Sequence, residues 1–162
     1  MSYRGLSELH FVPPKQTVNS QYYVEEILKK SYRLAVGRSK MAGSILTRKL
    51  LPNMSRAIFM QDGAPVHTAS RTQEWCKNNM PTFWAKGEWP GNSPDLNPIE
   101  NLWSILQEKL NEIKPSTNLN QLAENLKSGW RDINPLILEN LVAGMPARID
   151  KCIQLKGGYI GK

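Results

Sequence analysis

The sequence predicts an α/β fold: a mixed sheet flanked by helices and followed by a helical C-terminal region. Three observations carry this expectation. Ala57-Ile-Phe-Met-Gln61 is a compact apolar run bounded by chain breakers, the pattern of a short buried strand. Elsewhere apolar residues recur at helical spacing in stretches that open on Asn and stop at Pro or Gly. Two carboxylates, Asp62 and Glu100, stand in separate turn-rich blocks with 37 residues between them, room for one helix and one further strand in a βαβ-type crossover.

The elements follow in order. Leu6-Ser-Glu-Leu-His-Phe-Val12 alternates in part and is stopped by Pro13-Pro14, which suits a strand near an edge. Asn19 or Ser20 caps a helix carrying Tyr23, Val24, Ile27, Leu28 and Leu34, ending near Gly37. Ser44 to Leu51 suits a short helix closed by Pro52-Asn53. Ala57–Gln61 then delivers Asp62 to the rim of a sheet, where Gly63-Ala-Pro65 breaks the strand and where α/β folds place their sites. Thr68 or Ser70 opens a helix with Ala69, Trp75 and Cys76, and Pro81 to Trp84 is a short strand. Asn97 caps the clearest helix, with Pro98 at its first position and Ile99, Leu102, Trp103, Leu106, Leu110 and Ile113 on one face. Another amphipathic helix carries Leu119, Leu122, Leu126, Trp130 and Ile133. The last helical region, Leu136 to Leu155, is interrupted at Gly144-Met-Pro146 and ends at Gly157-Gly158.

Composition narrows the classes. A chain of 162 residues, 40% apolar and with five Trp, suits one domain with a real core rather than a disordered segment. No apolar run approaches the roughly 20 residues that span a bilayer, and the N-terminus has neither a signal core nor a transit pattern, so an intracellular protein without a membrane partner is expected. Cys76 and Cys152 are too isolated for a disulfide framework or a thiolate zinc site and read as buried free thiols. The charge excess of +7 sits entirely in residues 1–56, which hold ten Lys or Arg against three Glu. Lys29, Lys30, Arg33, Arg38, Lys40, Arg48, Lys49 and Arg56 fall in a stretch with no acidic residue, able either to neutralise DNA phosphates or simply to form a solvated loop.

Each acid taken alone has an ordinary explanation. Asn97 with Glu100 three residues later resembles a capping box, Asp95 suits a turn before a helix, and Asp62 suits an Asx-turn after a strand. His67 reads as a loop hydrogen bonder rather than a metal ligand. Paired carboxylates at element ends are also how proteins hold Mg²⁺ for phosphate chemistry.

The joint context tips this balance. Met60-Gln-Asp62-Gly-Ala-Pro-Val-His67-Thr-Ala69 and Asn92-Ser-Pro-Asp95-Leu-Asn-Pro-Ile-Glu100-Asn-Leu-Trp103 together resemble the catalytic core of Tc/mariner-type transposases, of the Asp-Asp-Glu group. The likeness extends over Gly5–Val12, Thr17–Leu28 and the Met145–Gly158 ending, nearly the whole chain. It implies a partial ribonuclease H-like fold, with residues 1–114 as the partial catalytic core and 115–162 as a helical extension of the same domain. It also implies DNA as partner, nuclear location, and Mg²⁺- or Mn²⁺-dependent DNA strand cleavage and transfer leading to DNA integration. Asp62 then matches the family's second catalytic, metal-binding carboxylate and Glu100 the third, with two ions in the complete family site. Capping and metal binding are alternative rotamers of Glu100 on this view.

The departures from the family pattern shape the expectation. The family's first Asp lies on a strand upstream of the position matching Leu6 and is not among these residues, nor is the helix-turn-helix region. The Asp62–Glu100 interval is somewhat longer than the commonest family spacing, with extra residues around Ala85-Lys-Gly-Glu88, where a loop absorbs them at little cost. The chain is therefore expected to be an N-terminally truncated portion, with weak or absent metal binding and no catalysis alone. It would associate with its missing N-terminal part or with a second copy, and would take no small-molecule substrate. The alternative is a non-catalytic, transposon-derived nucleic-acid-binding or protein-interaction module.

Overall fold

The computed structural model describes residues 1–31, 50 and 57–161. They pack as two compact units, one formed by Val12–Asn92 and the other by Met1–Phe11 with Ser93–Lys162. The boundary expected at residue 114 lies inside the second of these, between two of its helices. The expected helix over Ser44–Leu51, apart from a helical Leu50, lies outside the described residues.

In the Val12–Asn92 unit, α1 (Ser20–Tyr22) starts where expected, with the Asn19 side chain accepting from the Tyr22 N–H. It widens at once into a π-helical turn, Tyr23–Leu28, which returns to α-helix at Lys29. Helical spacing alone does not foretell such a turn, and π-turns cluster at functional sites. This one buries Val24 and Leu28 against Cys76, with Tyr23, Phe59, Trp75, Met80 and Phe83 packed around them. Burial pushes the Cys76 thiol up to about 11.

After the run at Ala57–Gln61 come α2 (Pro65–Thr68) and α3 (Ser70–Asn79). Pro65, expected as a breaker, instead occupies the first helical position of α2, where its missing N–H costs nothing. Phe59 pairs in parallel with Phe83, through Phe59 N–H to Thr82 O at 2.9 Å and Trp84 N–H to Phe59 O at 3.1 Å. Phe59 and Phe83 thus pair across the connection through α2 and α3, within this unit and before Glu100. Among the described residues the pairing is an isolated bridge rather than a ladder.

The other unit is helical: α4 (Pro98–Asn111), α5 (Leu119–Arg131), α6 (Pro135–Ala143) and α7 (Met145–Gln154). Asn97, Asn118 and Asn134 each cap the helix that follows, and Pro98 and Pro135 occupy first helical positions. Leu102, Leu106, Trp130, Ile133 and Leu138 form the core. At Gly129 the α4 and α5 helices come close: a Cβ there would lie 2.9 Å from Leu106 Cδ1, so the end of the Leu106 side chain would have to shift. Leu119 and Leu122, expected on the buried face of α5, are exposed, since the first turns of α5 run beyond the core. Cys152 is half-buried rather than buried.

Leu6–Val12, expected as an edge strand, pairs with no strand among the described residues. Leu6 and Leu9 pack instead on the helical core, and the Trp130 indole N–H donates to Ser7 O at 2.8 Å. No helix among the described residues is long and apolar enough to cross a membrane.

Candidate functional site

Asp62 stands three residues after the bridged Phe59 and just before Gly63. Its Oδ1 accepts from the Ala64 N–H at 2.9 Å and contacts His67 Nδ1 at 2.6 Å. An ionised carboxylate can only accept, so His67 Nδ1 carries the proton in this pair. Partial burial pushes the Asp62 carboxyl up, but the Ala64 and His67 bonds outweigh it and leave Asp62 below the usual range. The side chain is 53% exposed, and among the described residues Oδ2 accepts no hydrogen bond.

His67 is itself held from several sides. Its ring lies 4.7 Å from that of Tyr23, at the start of the π-helical turn. Tyr23 accepts a hydrogen bond from the Gln61 amide, and burial pushes its hydroxyl well above the ordinary tyrosine range. The backbone of α2 is clamped by α3: Thr72 Oγ1 donates to Val66 O at 2.6 Å, and Gln73 Nε2 donates to His67 O at 2.9 Å. The other end of the Gln73 amide accepts from the Lys86 N–H at 2.8 Å, which ties down the loop carrying the extra residues. A chain of contacts running from the helix start through Tyr23 and His67 therefore orients Asp62.

Glu100 belongs to the other unit and has a different setting. It sits in the first turn of α4, where Asn97 Oδ1 accepts from the Ile99 N–H at 3.4 Å. The reciprocal half of a capping box is not made: among the described residues the Glu100 carboxylate accepts no hydrogen bond. It lines a cleft of about 400 Å³ together with Asp95, Asn101, Ser104, Arg148, Lys151 and Tyr159. Asp95 is not merely a turn residue, because its Oδ2 accepts from the N–H of buried Ile160 at 2.8 Å and so anchors the C-terminal segment beside this cleft.

The other expected site residues divide in two. Lys29 and Lys30 are described, and each pairs with a glutamate one turn earlier, Glu25 and Glu26. Arg33, Arg38, Lys40, Arg48, Lys49 and Arg56 lie outside the described residues. No group of three or more His, Cys, Asp or Glu able to hold a metal ion is assembled among the described residues. The donors at hand nonetheless suit a hard cation, since Asp62 keeps one carboxylate oxygen unspent and Glu100 keeps both. Sequence reasoning left His67 as a loop residue and passed over Arg148, Lys151 and the tether at Asp95. A histidine five residues after an Asx-turn aspartate was a usable signal for the first; nothing in local spacing marked the others.

Comparison with known proteins supplies the remaining findings. Residues 36–123 match the family model described as DDE superfamily endonuclease. The Tcb1 transposase of Caenorhabditis briggsae is 35% identical over 106 residues, 65% of this chain and 37% of that protein. The Tc1 transposase of Caenorhabditis elegans is 33% identical over 108 residues, 66% of this chain and 38% of that protein. The chain thus spans little more than a third of the length of the curated relatives it matches. Among solved structures, the Mos1 transposase catalytic domain with raltegravir and Mn superposes with a TM-score of 0.77 at 20% identity, covering 98% of this chain and 74% of that one. The same domain with raltegravir and Mg gives 0.75 at 21%, covering 98% and 73%. At these identities the match speaks for the fold, which is that of the ribonuclease H-like Mos1 catalytic domain.

Proposed function

Because the chain belongs to the DDE superfamily endonuclease family, among the Tc1/mariner transposases, we propose that it is the C-terminal portion of a transposase catalytic domain that binds, cuts and joins DNA. The observation that carries this reading is the state of the two expected ligands. Asp62 is oriented by Ala64 and His67 with one oxygen unspent, and Glu100 is left out of the cap that its position offers. A carboxylate withheld from its nearest structural use is available for another.

Asp62 and Glu100 would hold the divalent ions, Mg²⁺ or Mn²⁺. When bound, such ions polarise a phosphate and lower the pKa of a coordinated hydroxyl. The chain's own residues do the rest. Ala64 and His67 fix the Asp62 rotamer, and proton donation from His67 keeps that carboxylate anionic. The α4 start presents Glu100, while the Asn97 side chain takes the Ile99 N–H. Lys29 and Lys30, with the basic residues through Arg56, would meet the DNA backbone, the two lysines exchanging their glutamate partners for phosphates. Action on chromosomal DNA places the protein in the nucleus.

These 162 residues supply two of the family's three carboxylates, and alone they are expected not to cleave DNA. Plasmid nicking in Mg²⁺ or Mn²⁺ tests this. The chain alone should leave supercoiled plasmid intact, whereas a polypeptide extended by a strand ending in Asp, grafted from a relative, should nick it and lose activity with Asp62→Asn or Glu100→Gln. Nicking that survives both substitutions would remove the proposed roles. DNA binding without cleavage in the extended form would favour the non-catalytic module.

A further inference from the structure

The cleft beside Glu100 contains a group that folding alone does not account for. Among the described residues, Nη1 of Arg148 is buried and has no hydrogen-bond partner. A guanidinium cannot shed its charge, so a desolvated donor of this kind is disfavoured until an acceptor arrives. Arg148 and Lys151 lie three residues apart on α7, on one helix face, and both line the cleft. The acids nearby do not neutralise them. The ion pairs among the described residues lie elsewhere, at Lys29–Glu25, Lys30–Glu26, His67–Asp62 and Lys127–Glu124. Asp95 is occupied by the Ile160 N–H.

We propose that this cleft is a subsite for one DNA backbone phosphate, held by Arg148 and Lys151 next to the Glu100 carboxylate. The proposal rests on the DNA-processing reading above and adds to it the residues that seat the strand at the third carboxylate. The chemistry of the lining fits. A planar guanidinium donates two parallel bonds to a phosphate, an ammonium adds a point charge, and the Asn101 amide offers a neutral donor. Tyr159, 65% exposed at the rim, offers a ring face to the adjoining sugar or base.

The test uses the 162-residue chain, a short DNA duplex and, separately, inorganic phosphate. It reads the Arg148 side-chain Nε–H resonance and the salt dependence of duplex binding. The duplex should shift that resonance. Arg148→Gln should lower the magnitude of the slope of log affinity against log salt by about 0.9, so that affinity falls about threefold less between ~50 and ~200 mM salt. Lys151→Gln should act likewise, and Arg148→Lys should keep the slope while weakening binding. These variants must first match the parent melting temperature; if Arg148→Gln does not, Lys151→Gln and the resonance decide.

A duplex that binds without moving the resonance or the slope in either variant overturns the proposal. A chain that binds no duplex, but whose Arg148 resonance moves with inorganic phosphate, supports phosphate recognition and overturns DNA as its source, and with it the DNA-processing reading. No response to either probe overturns both.

Discussion

Asp62 accepts two hydrogen bonds on one oxygen, from the Ala64 N–H and from His67, whereas Glu100 accepts none among the described residues, although its helix start offers a ready capping partner. The first acid is fixed by local chemistry: an Asx-turn, a histidine five residues on, and a tyrosine ring behind that histidine. The second is fixed by its backbone, through a 14-residue helix whose other face is the core of its unit. A short Asp at a strand end needs bracing because the chain around it bends. A longer Glu on a rigid helix can be left to find its partner. The two proposed ligands are thus prepared in opposite ways, one by orientation and one by reach.

The largest effect should come from undermining the helix beneath Glu100. Leu102 is fully buried one turn after Glu100's own, so Leu102→Ala is expected to cost about 2–5 kcal/mol, read as a lowered melting temperature or denaturation midpoint. If the two acids are supported independently, the His67 ring resonances should stay as they are in the part of the population that remains folded. Altered His67 resonances would break the comparison.

The next effect separates cap from ligand. Asn97→Ala should cost about 1 kcal/mol, since it removes the side chain that satisfies the Ile99 N–H. Glu100→Ala, which could not cap, should lower the melting temperature less, since the Glu100 carboxylate accepts no hydrogen bond among the described residues. An equal loss from both would show that Glu100 is a capping residue after all.

The smallest effect concerns Asp62. Its carboxyl is held below its unfolded value, so the stabilisation it gives is fully present above that value, about 4, and is lost as pH falls through the folded pKa. His67→Ala removes one of the two bonds and should flatten this acid-side loss. With the carboxylate half exposed, the change is at most about 0.5 kcal/mol. Urea denaturation between ~pH 3 and ~pH 6 would read it; an unchanged pH slope would mean that the His67 contact does not brace Asp62.

What was legible in the sequence follows the same division. Asn97 and Pro98 announced α4 because caps and first-turn prolines act through neighbouring atoms, and Leu102 and Leu106 announced its buried face because helical spacing is a local rule. The π-turn at Tyr23–Leu28 was not legible, since the extra residue per turn is stabilised by what Tyr23 and Val24 pack against rather than by their spacing. Phe59 and Phe83 were expected on strands, but a single parallel bridge depends on partners that no local pattern reports. In the candidate site, Asp62 and Glu100 were named by their motifs, whereas Arg148 joins the Glu100 cleft only because residues of α7 and of the α4 start line the same cavity. Two residues 48 positions apart that line one cleft leave no trace in spacing.

The proposal that Asp62 and Glu100 hold divalent ions is tested most directly by titrating Mn²⁺ into the labelled 162-residue chain and following paramagnetic broadening of its amide resonances. Even weak binding should broaden Asp62 and Gly63 together with Glu100 and Asn101 before other positions, and Asp62→Asn should abolish the broadening at both places while leaving the melting temperature unchanged. Broadening confined to one acid, or persisting at Glu100 in the Asp62→Asn chain, would contradict the account.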